Sequence, residues 1–281
     1  MEASTGLGRI GVPNYIHQIE DSDVRRILFI LSCIAAMTSA SFAAEPDDRV
    51  FELRTAIPNS GKFAALNTRF KDHVVKLYAK HGATNLGYFV PADGKSEKIL
   101  YILAFKDLEA RNKSMDSFAA DPEWKRVAAE SEKKGELVKD VSSTLLVATG
   151  YSPIMKPMVV TPSRVFELRT YTATLGKLDN LNDRFKDHTL KLFEKHGMTN
   201  VAYWNVAGLP QSPTNKLKKE DTLVYLLAHK SSDTMNRSFG AFRSDPVWIK
   251  AKGESEKKGS LTVPDGVKSE LFKPTDYSPT K

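Results

Sequence analysis

Cysteine is all but missing from this chain. Of 281 residues only Cys33 is one, and it lies in an apolar run near the N-terminus. The rest of the sequence therefore offers no disulfide framework, no thiolate nucleophile and no cysteine-ligated metal. It also has no Gly-rich phosphate loop, nucleophile elbow or HExxH zinc helix, so it gives no ground for nucleotide-dependent, serine-hydrolase or zinc-protease chemistry. The apolar run, ILFILSCIAAM at 27–37, falls well short of the roughly 20 residues of a membrane-spanning helix. Charge of one sign is not concentrated anywhere. The formal net charge is +7, but its lysines sit among acids, as in ESEKKG, without interleaved aromatics, which predicts no nucleic-acid partner.

What is present suits folded domains with real cores, 41% hydrophobic and 27% charged residues. Arg25-Arg26, the apolar run and TSASFA ending at Ala43 form the three regions of a secretory signal. Cleavage is expected between Ala43 and Ala44, with Ser41 at the minus-three position. The product is expected to be periplasmic or extracellular, touching a membrane only through the signal segment. Glu20, Asp21 and Asp23 stand where such a signal carries positive charge, so translation is expected to begin at Val24. Cys33 leaves with the signal, and Ile30-Leu31-Ser32-Cys33 sits too early in the run to predict lipidation.

The remainder is written twice. VFELRTAIPNSGKFAALNTRFKDHVVKLYAKHGATN at 50–85 and VFELRTYTATLGKLDNLNDRFKDHTLKLFEKHGMTN at 165–200 align without a gap. Further on, YILAF pairs with YLLAH, DPEW with DPVW, ESEKKG with ESEKKG, and YSP at 151–153 with YSP at 277–279. A repeat of this length is a domain rather than a solenoid unit. The predicted organisation is an extension and signal at 1–43, a first domain at 44–151, a Pro-containing linker at 152–163 and a second domain at 164–281.

Within each copy VFELRT alternates as a strand, and apolar residues at 63, 66, 70, 74 and 77 keep helical spacing up to the stop at Gly82. ATNLGYFV and ILYILAF read as strands, residues 108–135 as helix broken near Asp121-Pro122, and SSTLLVAT as a last strand. The order βαββαβ is α+β and ferredoxin-like, with helices on one face of a four-stranded sheet. Two such sheets can pair their bare faces within one chain.

VFELRTY at 165–171, Gly176-Lys177-Leu178, KLFEKHGM at 191–198 and Ala202-Tyr203-Trp204 resemble the NIPSNAP family, and VFELRT, KLYAKHG and Gly87-Tyr88-Phe89 repeat the pattern more loosely. The resemblance implies two tandem NIPSNAP-like domains closing into an intramolecular dimeric α+β barrel. The wider barrel superfamily includes haem-degrading and cofactor-independent monooxygenases. The first copy departs from the pattern at Ala56 against Tyr171 and at Phe89 against Trp204, which predicts halves that are not equivalent in function.

Alternation puts Phe51, Leu53 and Thr55 on one face of the first strand, assigned to the helices, and Val50, Glu52 and Arg54 on the other. On that assignment Glu52, Arg54, Glu167 and Arg169 line the barrel interior, as an ion-pair network or a polar ligand pocket. Tyr88, Tyr171, Tyr203 and Trp204 bracket the same space. His73 and His81 are eight residues apart on one helix, roughly 12 Å along its axis, too far to chelate one metal. His81 and His196 end their helices, where imidazolium suits the macrodipole. His73 and His188 border the apolar stripe, with haem ligation or proton transfer as their chemical alternative to a structural role. Trp124 and Trp248 read as helix anchors, and 208–221 as an extended loop. No metal site and no resident cofactor is predicted, haem being the one alternative, and no catalytic constellation emerges. Three readings stay open: a binding or interaction protein for a small-molecule or protein ligand, a cofactor-independent or haem-dependent monooxygenase, and a self-associating structural module.

Overall fold

The computed structural model describes Met1 and residues 47–281, apart from 209, 211–214, 216 and 220. Cys33, the expected cleavage at Ala43 and the expected start at Val24 lie outside the described residues. The first copy comprises β1 (Val50–Pro58), α1 (63–80), β2 (Thr84–Pro91), β3 (Ile99–Phe105), α2 (Leu108–Ala120), α3 (Pro122–Ser131) and β4 (Val138–Ala148). The second comprises β5 (Val165–Ala173), α4 (178–195), β6 (Thr199–Val206), β7 (Thr222–His229), α5 (Ser232–Ser244), α6 (Pro246–Ser255) and β8 (Thr262–Pro274).

The break between α2 and α3 has a local cause. Asp121 leaves helical geometry, its side chain accepts from Glu123 N, and Pro122 occupies the first turn where no amide donor is needed. Asp245 and Pro246 repeat the arrangement.

The first helix of each copy is less regular than its apolar spacing predicts. Helix α1 runs as an α-helix over Phe63–Arg69, widens to a π-helical turn over Phe70–Val74, and returns to α over Val75–Lys80. Helix α4 does the same over Leu178–Arg184, Phe185–Thr189 and Leu190–Lys195. A π turn inserts one extra residue and resets the helical phase. Arg69, Phe70, Val74, Leu77 and Tyr78 are consequently all buried. In α4 the Thr189 hydroxyl donates to Arg184 O at 3.1 Å, satisfying a carbonyl in the widened turn.

The strands form one closed barrel in the order β1-β3-β2-β8-β5-β7-β6-β4. Each copy contributes an antiparallel ferredoxin-like sheet, β4-β1-β3-β2 and β8-β5-β7-β6. Two short seams close the ring, Phe89–Pro91 against Phe272–Pro274 and Leu146–Ala148 against Trp204–Val206. Among the described residues no sheet edge is left for another chain to extend.

The interior is apolar and drawn from both copies. Phe51, Phe89, Ile102, Phe166, Trp204, Leu226 and Phe272 share one buried cluster, with Leu53 and Leu168 packed against it. This corrects the expected facing of the first strand. The alternation holds, but Phe51 and Leu53 point into the barrel, whereas Glu52 and Arg54 point toward the helices. The barrel interior is apolar, so charged side chains there would need partners from other charged strands. On the helix side, α2 supplies one.

The repeated YSP motif docks each copy onto the other. In the first copy's motif, Ser152 Oγ accepts from Tyr203 N at 2.9 Å and Tyr151 donates to Asn182 at 2.7 Å. In the second, Ser278 Oγ accepts from Tyr88 N at 2.9 Å and Tyr277 donates to Asn67 at 2.8 Å. These straps continue the two seams beyond the paired strand residues. Ser152→Ala and Ser278→Ala each leave a strand amide without its acceptor, and each is expected to cost about 1–3 kcal/mol in urea unfolding. Loss of neither stability would show that the straps are not docked in solution.

Candidate functional site

Two clefts lie between sheet and helices, one per copy, and the residues of VFELRT and RFKDH build both. On β1, Glu52 is almost fully buried and takes four hydrogen bonds. Arg54 donates at 2.8 Å, Arg111 of α2 donates through Nε at 2.9 Å and Nη2 at 2.8 Å, and Ser143 of β4 donates at 2.5 Å. On β5, Glu167 is held by Arg169 at 2.5 Å, Ser269 at 2.5 Å and the buried His229 at 3.0 Å. The second copy has Met235 where the first has Arg111, so the buried imidazole of His229 stands in for a fixed charge.

The carboxylates act from behind as holders of the arginines. Burial alone would raise the pKa of Glu52, but the Arg111 hydrogen bonds, the Arg54 charge and Ser143 outweigh it and hold it below the ordinary carboxylate value. Glu167 is likewise lowered against its burial by His229, Arg169 and Ser269.

The first cleft, of about 280 Å³, is walled by Arg54, Arg69, Phe70, Tyr78, Tyr101, Phe118, Trp124 and Glu132, with Ala56, Val74, Val138 and Val141. Its polar groups mostly satisfy one another. Arg54 Nε donates to Tyr101 Oη at 2.9 Å, and Tyr101 and Tyr78 hydroxyls lie 3.5 Å apart. Arg69 Nη1 donates to Glu132 at 2.8 Å, and its guanidinium stacks on Trp124.

The second cleft, of about 260 Å³, is the chemically altered copy. Its walls include Arg169, Tyr171, Arg184, Phe185, Phe193, Phe239, Phe242 and Trp248, and Arg243, Lys252, Glu256 and Val267 also line it. Arg184 repeats the Arg69 arrangement, donating to Glu256 at 2.7 Å and stacking on Trp248. Arg169 does not repeat Arg54. Tyr171 replaces Ala56, and its hydroxyl accepts from Arg169 Nη2 at 3.2 Å. Phe193 replaces Tyr78, removing a hydroxyl neighbour from Tyr225, the counterpart of Tyr101. As a result Arg169 Nε and Tyr225 Oη are both buried without a hydrogen-bond partner among the described residues. Arg184 Nε is in the same state, as Arg69 Nε is in the first cleft. Such groups cost about 1–3 kcal/mol each when left unmade.

Of the residues singled out by sequence, Arg54, Arg169 and Tyr171 line the clefts, and Glu52 and Glu167 support them from behind. None of these faces the barrel interior. Tyr88 and Tyr203 are also on the helix side, where their hydroxyls donate to Asn85 and Asn200. Trp204 alone points inward, buried against Phe51. His73 is half-buried beside Arg126 and Glu130 in a surface groove, and His188 is exposed. Neither lines either aromatic cleft, so neither is placed to ligate a group held there. His81 and His196 lie 2.6 and 2.8 Å from the capping carboxylates Asp121 and Asp245, fastening one helix to the start of another. In the described part of 208–221, Asn215 accepts from Thr144 at 2.8 Å and Leu217 packs against the barrel core. The cleft residues missed by sequence reasoning, Arg69, Arg184, Tyr101 and the phenylalanines of α4 and α5, all occur at repeated or aligned positions. Trp248, read as a helix anchor, is also a cleft wall.

The depressed carboxylates fix the sign of the acid response. A glutamate with a lowered folded pKa contributes stability that is present above its unfolded value, about 4.3, and lost as pH falls through the folded value. Unfolding free energy is expected to hold from pH 7 to 5 and to fall below about pH 4.5. Glu52→Gln should be about 3–5 kcal/mol less stable at pH 7, because buried arginines lose their counter-charge. It should also lose less than the parent between about pH 5 and 3. An unchanged acid slope in urea titrations of the variant would refute the role given to Glu52.

Comparison with known proteins follows the barrel and its duplication. A putative monooxygenase of Fusobacterium nucleatum subsp. nucleatum superposes with TM-score 0.53 at 10% identity, covering 81% of this chain and 92% of that one. An anthrone oxidase-like protein gives TM-score 0.52 at 11% identity, covering 82% and 92%. A NIPSNAP family protein of unknown function from Agrobacterium tumefaciens is 23% identical over 38% of this chain and 95% of its own, with TM-score 0.35. No curated protein matches the sequence. The NIPSNAP family model matches twice, at residues 51–153 and 166–279, one match for each half of the barrel. With both halves of its barrel matched in tandem, the chain belongs to the NIPSNAP family.

Proposed function

We propose that this protein binds a small organic molecule in the helix–sheet cleft of its second copy. One observation carries the reading: a recess of about 260 Å³ walled by Phe185, Phe193, Phe239, Phe242 and Trp248. Ligand sites are typically concave and mostly apolar, with a few placed polar groups, and aromatic walls favour flat apolar ligands. Among the described residues the barrel interior is packed with apolar side chains from both copies.

The neutral probe N-phenyl-1-naphthylamine tests this. Its fluorescence should rise on titration with the full chain, to one site per chain. Val267 lines the cleft and is partly exposed, so Val267→Phe narrows it without disturbing the core. That variant should weaken probe binding by about tenfold, equivalent to about 1.4 kcal/mol. Val141 holds the corresponding place in the first cleft, and Val141→Phe should leave binding unchanged. No fluorescence rise, or equal loss in both variants, would count against the second cleft as the site.

A second reading rests on Arg169. A guanidinium beside an aromatic slot stabilises the oxyanion formed when an activated phenol or its keto tautomer loses a proton, and such anions react with dioxygen without a cofactor. For anthrone the balanced reaction consumes one dioxygen, converts the ring methylene to a carbonyl and releases water. Oxygen uptake above the uncatalysed rate, lost in Arg169→Gln, supports this reading. Uptake equal to the buffer control rejects it.

A further inference from the structure

Building on the cleft assigned above, we infer that its ligand is an amphipathic anion, with an apolar body in the aromatic recess and an acid group held at the mouth by Arg243 and Lys252. The two copies supply an internal comparison. Arg243 of α5 and Lys252 of α6 line the second cleft. The aligned residues of the first copy are Ala119 and Ala128, and neither lines its cleft. The second copy thus places two cations where the first has no charge. On α6, Lys252 stands one helical turn from Trp248 on one side and from Glu256 on the other, and all three line the recess.

The charges deeper in the cleft are already answered. Arg169 is paired with Glu167 and donates through Nη2 to the Tyr171 hydroxyl. Arg184 donates to Glu256 at 2.7 Å and stacks on Trp248. Glu256 is the one carboxylate among the lining residues, so none is left for the mouth. Arg243 and Lys252 are exposed, and their side chains make no ion pair or hydrogen bond among the described residues. A head group buried in the recess would have to displace Glu167 or Glu256 from its arginine. One at the mouth meets two free cations and keeps part of its hydration, while the apolar body it carries leaves water.

Two probes of one skeleton separate charge from shape. N-phenyl-1-naphthylamine is neutral, and 8-anilino-1-naphthalenesulfonate adds a sulfonate to it. In fluorescence titrations of the full chain the sulfonate should displace the neutral probe and bind about fivefold more tightly. Arg243→Ala combined with Lys252→Ala restores the residues of the first copy. That double variant should lose the preference and keep both the neutral probe's affinity and the parent's melting temperature. Lys113→Ala combined with Lys125→Ala removes the same charge from exposed positions of the first copy and should leave the preference intact. Equal affinity for the two probes, a preference that survives loss of Arg243 and Lys252, or an equal loss with Lys113 and Lys125 overturns the assignment. If the neutral probe still binds in those samples and Val267→Phe weakens it, the cleft reading stands while the anion assignment falls. If neither probe binds, both fall.

Discussion

Everything in this molecule follows from the need to cover a bare sheet face. A ferredoxin-like unit buries one face of its sheet under helices and leaves the other apolar and open. Two units in one chain remove the problem by turning those faces toward each other, and the seams between Phe89–Pro91 and Phe272–Pro274 and between Leu146–Ala148 and Trp204–Val206 close the ring. Large aromatic and aliphatic side chains then fill the enclosed space. Each contributes about 1.5–3 kcal/mol on burial, and the described interior is apolar.

Closing the barrel decides where charge can go. With Phe51 and Phe166 pointing inward, strand alternation forces Glu52, Arg54, Glu167 and Arg169 outward, under the helices. There they can be satisfied by groups from different layers, Arg111 from a helix and Ser143 from a neighbouring strand. The π turn is the helical counterpart of this constraint. It brings Arg69 and Arg184 round to the sheet side together with the phenylalanines that follow them. The clefts are thus a consequence of barrel closure combined with a reset helical phase.

Much of this architecture was legible in the sequence, because it rests on patterns that repeat. The duplication, the strand and helix order and the Asp-Pro break all leave local marks, and the closing of two units into one barrel is what the family resemblance implies. The side of the sheet on which Glu52 lies leaves none, since alternation separates two faces without saying which is inside. Polar content suggested a lumen, but the physical decision belongs to the partner layers, and Arg111 and His229 are distant in sequence. The π turn was hidden for a similar reason: positions 63, 66, 70, 74 and 77 fit an ordinary helix equally well. The chemical difference between halves was visible at Ala56 against Tyr171. Its meaning needed Phe193, Arg169 and Tyr225 placed together in space.

Duplication within one barrel also explains how the second copy can hold Arg169 Nε and Tyr225 Oη without a hydrogen-bond partner among the described residues. The first copy keeps its arginine and tyrosines linked to one another, with Arg54 donating to Tyr101 and Tyr101 beside Tyr78. Its helices and sheet pack around that network, and its strands share the interior core with the second copy. An identical pair of loosened clefts would double the cost of unmade hydrogen bonds, about 1–3 kcal/mol for each group, against a net stability of about 5–15 kcal/mol for a whole domain. With the arginine–tyrosine pair closed in one copy and open in the other, the shared core carries that pair's penalty once. The substitutions Ala56 to Tyr171 and Tyr78 to Phe193 then act together rather than separately: the new hydroxyl draws Arg169 away, and the lost hydroxyl leaves Tyr225 alone. Both together open a pair that the first copy keeps closed, next to an aromatic recess that Arg169 lines.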